Sequence, residues 1–122
     1  MTLPSKENNL QVIVDCGVVA VIRANDSSQL LDITRAVSAG GVKAIEITMT
    51  VPNAIEGIEK VVAELGDDVV VGVGTVLDPE TTRLALLAGA EFVVSPVYKP
   101  EILSMAKRYS KIVIPGAFTP TE

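Results

Sequence analysis

The chain has 122 residues, a formal net charge of −5, 48% hydrophobic and 3% aromatic residues, one cysteine and no histidine. That length suits one domain, 1–122. The missing histidine excludes the common metal sites and the Ser-His and Cys-His catalytic pairs, a lone Cys16 excludes an internal disulfide framework, and without a basic cluster nucleic acid is not an expected partner.

The N-terminal stretch M-T-L-P-S-K-E-N-N is polar and lacks a signal peptide's apolar core. No apolar run approaches the roughly 18–20 residues that span a bilayer, so no membrane partner is expected and the cytoplasm is the expected location. Leu10–Cys16 reads as a short leading helix, with Cys16 packed as a small buried hydrophobe. Val18–Ile22 (V-V-A-V-I) is the first apolar β-branched run. Ser28–Ala39 has helical period and ends at Gly40-Gly41. Ala44–Met49 (A-I-E-I-T-M) is the second run. Asn53–Leu65 places Ile55, Ile58, Val61, Val62 and Leu65 three and four apart, an amphipathic helix ending at Gly66. Val69–Val73 is the third run, and Pro79–Ala88 the next helix, with Asp78 as its N-cap and Gly89 beyond its end. Phe92–Val94, a helix over Pro100–Arg108 and Ile112–Ile114 follow. Thr119-Pro120-Thr121-Glu122 has the form of a capping box and predicts a further helix start.

Strands alternating with helices predict right-handed βαβ units and a parallel α/β sheet. An open doubly wound sheet and part of a (β/α)₈ barrel share that period. In both, sites gather at the C-terminal ends of the strands. Five polar or special positions lie there. Glu46 sits inside the second apolar run, where parity groups Ala44, Glu46, Thr48 and Thr50 on one face and Ile45, Ile47 and Met49 on the other. A carboxyl buried in a strand is costly unless paired, so Glu46 is either the ion-pair partner of Arg23 or a proton-transfer acid/base tuned by burial. Arg23 ends the first strand and can hold a substrate carboxylate, or serve as that structural partner. V-G-V-G-T-V-L at 71–77 lacks the spacing of a phosphate loop. Its Gly72 and Gly74 allow close backbone approach, by a ligand or within the sheet, and Thr75 offers a hydroxyl and an amide to an anion. Pro96 and Pro115 end the fourth and fifth strands. Lys99 follows a strand end and reads as solvated. Lys111 opens the fifth strand at the opposite rim.

V-V-A-V-I-R at 18–23, A-G-G-V-K-A-I-E-I-T at 39–48, V-G-V-G-T-V-L at 71–77, F-V-V-S-P at 92–96 and I-V-I-P-G at 112–116 together resemble the 2-keto-3-deoxy-6-phosphogluconate (KDPG) / 4-hydroxy-2-oxoglutarate (KHG) aldolase family. The resemblance implies a class I aldolase on a (β/α)₈ TIM barrel, with a lysine Schiff base to a pyruvate-type 2-oxo acid and no metal or other cofactor. It implies Glu46 as the general acid/base. Thr75, beside Gly74, becomes the contact to the substrate carboxylate, Arg23 the arginine at the end of the first strand, and Pro96 a pocket wall. Thr50 stands where part of the family has a substrate-binding arginine. The family's Schiff-base lysine lies on a sixth strand, in a segment resembling K-F-F-P-A, which these 122 residues do not contain. The resemblance therefore implies the first five βα units of a barrel of roughly 200 residues and a homotrimer. The alternative from the stated length is an inactive half-barrel that pairs with itself or another chain.

Overall fold

The computed structural model describes residues 5–122, and local chemistry sets most element boundaries. Helix α1 (Lys6–Cys16) starts at Ser5, whose hydroxyl accepts the Asn8 N–H at 3.1 Å. It is a turn longer than its apolar residues predict, because its first turn is polar and is fixed by the cap rather than by packing. Strand β1 (Val19–Ile22) leads to a 3₁₀ turn over Ser27–Gln29 and then α2 (Leu30–Ala39). The helix thus begins two residues later than expected, since the Asp26 carboxylate accepts from Ser28 and tightens the entry. β2 (Ala44–Thr48), α3 (Ala54–Leu65), β3 (Val70–Gly74), α4 (Pro79–Leu87), β4 (Phe92–Ser95), α5 (Pro100–Arg108) and β5 (Ile112–Pro115) complete the order. Asp78 caps α4 as expected, its Oδ1 accepting the Thr81 N–H at 2.6 Å.

Three helices end in one way. Gly41, Gly89 and Ser110 hold φ of 105°, 109° and 54° just past α2, α4 and α5. The next N–H reaches back into the helix: Val42 to Val37, Ala90 to Ala85 and Lys111 to Ala106, at 3.4, 3.0 and 3.0 Å. These Schellman closures turn the chain straight into β2, β4 and β5. Thr119–Glu122 forms a turn, closed by the Glu122 N–H donating to the Thr119 carbonyl at 3.2 Å. The Thr119 hydroxyl donates to the Glu122 carboxylate instead of accepting from the backbone, and Phe118 N–H donates to the same carboxylate. Cys16 corrects an expectation. It is half-buried, and its thiol donates to the Val18 carbonyl at 3.3 Å while accepting the Lys43 N–H at 3.4 Å. That amide contact stabilises the thiolate and lowers the thiol pKa.

All five strands are parallel and pair in chain order. Ile45, Ile47, Val71, Val73 and Val93 point to one face and are buried with Leu30, Ile58, Val61 and Ile102 of the helices. Each such side chain contributes roughly 1.5–3 kcal/mol, so this face anchors α2–α5. The other face carries one register row, Val21–Glu46–Gly72–Phe92–Ile112. There Val70, Phe92 and Ile112 form a small cluster with Ile13 of α1, while Val21 and Ile114 are 48% and 42% exposed. A doubly wound sheet packs helices on both faces. Here α2–α5 share one face, which is the wall of a barrel.

Candidate active site

Glu46 lies at the middle of β2 on the inner face and is only 8% exposed. Its neighbour across the ladder is Gly72, but its side chain leans toward the C-terminal end and lies over Gly74. A methyl group built on Gly74 would overlap Glu46 Oε1. Gly74 is therefore the space that receives the carboxyl. Among the described residues Glu46 has no ion-pair partner, so the structural pair with Arg23 does not form. Arg23 is exposed at the end of β1 and lines a cavity of about 450 Å³ with Asn25, Gln29 and Asp32. Burial pushes the Glu46 pKa up, and the more distant positive charge of Arg23 partly opposes that shift. A carboxyl in this state holds its proton to higher pH than a solvated one, which suits it to proton transfer.

Thr75 follows Gly74 directly, half-buried, with φ of 59°. A β-branched residue in the left-handed region is strained by roughly 1–3 kcal/mol, a feature that concentrates at functional sites. The next amide, Val76 N–H, reaches the Val94 carbonyl at 3.2 Å and fixes the turn. Thr48 pairs with Gly74 in the ladder and is fully buried. Its hydroxyl lies 2.7 Å from that of Thr50, which is exposed just beyond β2. Parity placed Thr48 on this face, but its place in the site emerges only from the shared hydrogen bond.

Pro96 is exposed at the end of β4, and its carbonyl lies where a Cβ on Gly116 would fall. Gly116 N–H donates to the Ser95 carbonyl at 2.7 Å, so the ends of β4 and β5 are tied together. Lys99 is exposed, and its ammonium donates to the Leu77 carbonyl at 2.8 Å. The structure thus brings Glu46, Gly74, Thr75, Thr48 and Thr50 together at the C-terminal ends of β2 and β3. Arg23 and Pro96 stand on flanking strands.

The opposite rim is built differently. A cavity of about 830 Å³ lies there, lined by Asn9, Lys43, Asp68 and Glu91 among others. Glu91 Oε2 accepts from Lys111 Nζ at 2.6 Å and from Asn9 Nδ2 at 2.8 Å, a latch that holds α1 under β4 and β5. Every polar group named in that latch is satisfied, as expected of a structural contact.

The model of the aldolase family described as KDPG and KHG aldolase matches residues 10–122. The chain belongs to the KDPG and KHG aldolase family. It is 33% identical over 112 residues to the 2-dehydro-3-deoxy-phosphogluconate aldolase of Dickeya dadantii, covering 92% of this chain and 52% of that protein. Its fold matches the 2-keto-3-deoxy-6-phosphogluconate aldolase of Zymomonas mobilis ZM4, solved with 3-phosphoglycerate. The TM-score is 0.83 and the identity 29%, over 96% of this chain and 55% of that one. It also matches the KDPG aldolase of Legionella pneumophila with pyruvate captured at low pH as a covalent carbinolamine intermediate (TM-score 0.82, identity 29%, 90% and 53% covered). The chain spans about half the length of the curated relatives it matches. Its five parallel βα units are the part of the aldolase barrel that it shares with this family.

Proposed function

We propose that the chain is the N-terminal part, and a single structural domain, of a Schiff-base aldolase that cleaves a 2-keto-3-deoxy sugar acid phosphate or 4-hydroxy-2-oxoglutarate to pyruvate and an aldehyde. One observation carries this reading: a buried, unpaired carboxyl, Glu46, at the middle of a barrel strand, leaning toward its C-terminal end into the space of Gly74 beside a strained Thr75. In the proposed reaction a lysine amine adds to the substrate keto carbon and water leaves, giving an iminium. Glu46 takes the proton of the C4 hydroxyl, the C3–C4 bond breaks, and its electron pair is accepted by the iminium as the aldehyde departs. The resulting enamine takes a proton at C3 from Glu46, and water releases pyruvate. Thr75 and Gly74 receive the substrate carboxylate, with Arg23, Thr50 and Pro96 lining the rest of the mouth. Thr50 stands where part of the family has a substrate-binding arginine, so both the phosphorylated and the shorter, unphosphorylated substrates stay within the proposal. The amine comes from the rest of the barrel, since Lys99, the lysine nearest the C-terminal rim, is turned to the Leu77 carbonyl.

A homo-oligomer, a trimer by the family resemblance, is supported by Leu84 and Leu87, which stand 54% and 59% exposed on α4. A cytoplasmic location fits the absence, among the described residues, of any helix long and apolar enough to cross a membrane.

Borohydride reduction with pyruvate, read by mass spectrometry, tests the reading. The barrel-length protein gains one pyruvate adduct, and the 122-residue chain alone gains none. An adduct on Lys99 of the short chain would overturn the assignment of the amine. A second reading, an inactive half-barrel that pairs with another copy, is favoured by the exposed Val21 and Ile114 of the inner face and by the unpaired outer edges of β1 and β5. It predicts no adduct in any form of the protein and a dimeric mass in sedimentation.

A further inference from the structure

We propose that Phe92 is a positioning residue for Glu46: its ring fills the space left by Gly72, blocks the carboxyl from below and directs it over Gly74. The inference rests on the reading of Glu46 as the acid/base and adds the device that sets it.

Glu46, Gly72 and Phe92 are consecutive members of one register row on the inner face. Adjacent strands stand about 4.8 Å apart, so the Glu46 and Phe92 backbones are two spacings apart with a glycine between them. The Phe92 ring crosses that gap. A methyl group on Gly72 would overlap its Cδ2, Cε2 and Cζ atoms. The ring edge therefore reaches over the middle strand, into the position beside Glu46 in the row. It has nowhere to withdraw, because Val70, Ile112 and Ile13 pack around it and it is fully buried.

With the ring over Gly72, the Glu46 side chain does not settle over its own ladder neighbour and leans toward the C-terminal mouth. Gly74, two residues beyond Gly72 on the same face, supplies the room there. The two glycines of V-G-V-G-T thus act as a pair of recesses, Gly72 for the ring and Gly74 for the carboxyl. Glu46 is only 8% exposed, and burial is the main cause that raises its proton affinity.

The test uses the 122-residue chain and reads no turnover, so a failure of the aldolase reading would not register in it. In carbon-13-labelled wild-type protein, NOE cross-peaks are expected between the Phe92 ring protons and the Glu46 γ-methylene. The Glu46 carboxyl carbon is expected to titrate above the ordinary glutamate value of about 4.3. Phe92→Leu, which retracts the ring from Gly72, is expected to lower that midpoint toward the ordinary glutamate value. Val93→Ala, on the opposite face of the same strand, is expected to weaken the fold and leave the midpoint in place. Missing cross-peaks, an unchanged midpoint in Phe92→Leu, or the same shift in both variants would overturn the proposal. If Phe92→Leu does not fold, the wild-type cross-peaks decide.

Discussion

Glu46 carries its own energetic signature. Its folded-state pKa lies above the unfolded value, so the native state holds the proton to higher pH than the unfolded chain does. Stability from this group is full below the unfolded pKa and is lost as pH rises through the folded one. Glu46→Gln removes that loss. The variant is expected to match wild type in urea midpoint near pH 4 and to exceed it at pH 7, with equal midpoints at both pH values contradicting the assignment. Thr75 is the second strained point. Thr75→Gly relieves its left-handed backbone and is expected to hold or raise stability by about 1 kcal/mol, where glycine at an ordinary strand end lowers it. Thermal unfolding checks this. Under the proposed function, the same substitution in the barrel-length protein is expected to weaken pyruvate binding. Glu46 was legible in the sequence because a charge stands out inside an apolar β-branched run. Phe92 was not, because a buried aromatic residue reads as ordinary core, and only its overlap with the Gly72 position gives it a direction.

At the scale of the elements, alternation of β-branched runs with helical period predicted every strand and every helix before Thr119 to within a few residues. The departures have local causes. Ser5 lengthens α1 through a hydroxyl cap, and Asp26 draws the entry of α2 into a tighter turn. Thr119–Glu122 carries the residues of a capping box, but the Thr119 hydroxyl donates to the Glu122 carboxylate and caps no backbone N–H. Ser110 shows a further lever, since it occupies the left-handed position of a Schellman closure that glycine fills at Gly41 and Gly89. Ser110→Gly is expected to raise stability by about 0.5–1 kcal/mol, because glycine carries no Cβ penalty there. Denaturant unfolding reads this directly, and a lower midpoint would contradict it.

For the whole molecule, period alone left two architectures open, and the sidedness of the helices chose between them. The large core lies between the sheet and α2–α5, whereas the inner face holds a small cluster closed below by α1 and leaves Val21 and Ile114 open. The sheet is thus a barrel wall whose polar residues face inward at its C-terminal end. The five motif segments were enough to suggest the family, and the family model match over 10–122 bears that out. Sequence parity identified the face of Glu46 but not the glycine recess, because which missing Cβ a neighbour fills depends on how a side chain leans across the ladder.

In the proposed function Glu46 moves the proton between enamine and pyruvate. Exchange of the pyruvate methyl protons with heavy water, followed by proton NMR on the barrel-length protein, tests it most directly. Glu46→Gln is expected to keep the borohydride-trapped adduct while exchange slows by about 10²–10⁴-fold. Exchange at the wild-type rate in Glu46→Gln would contradict the account.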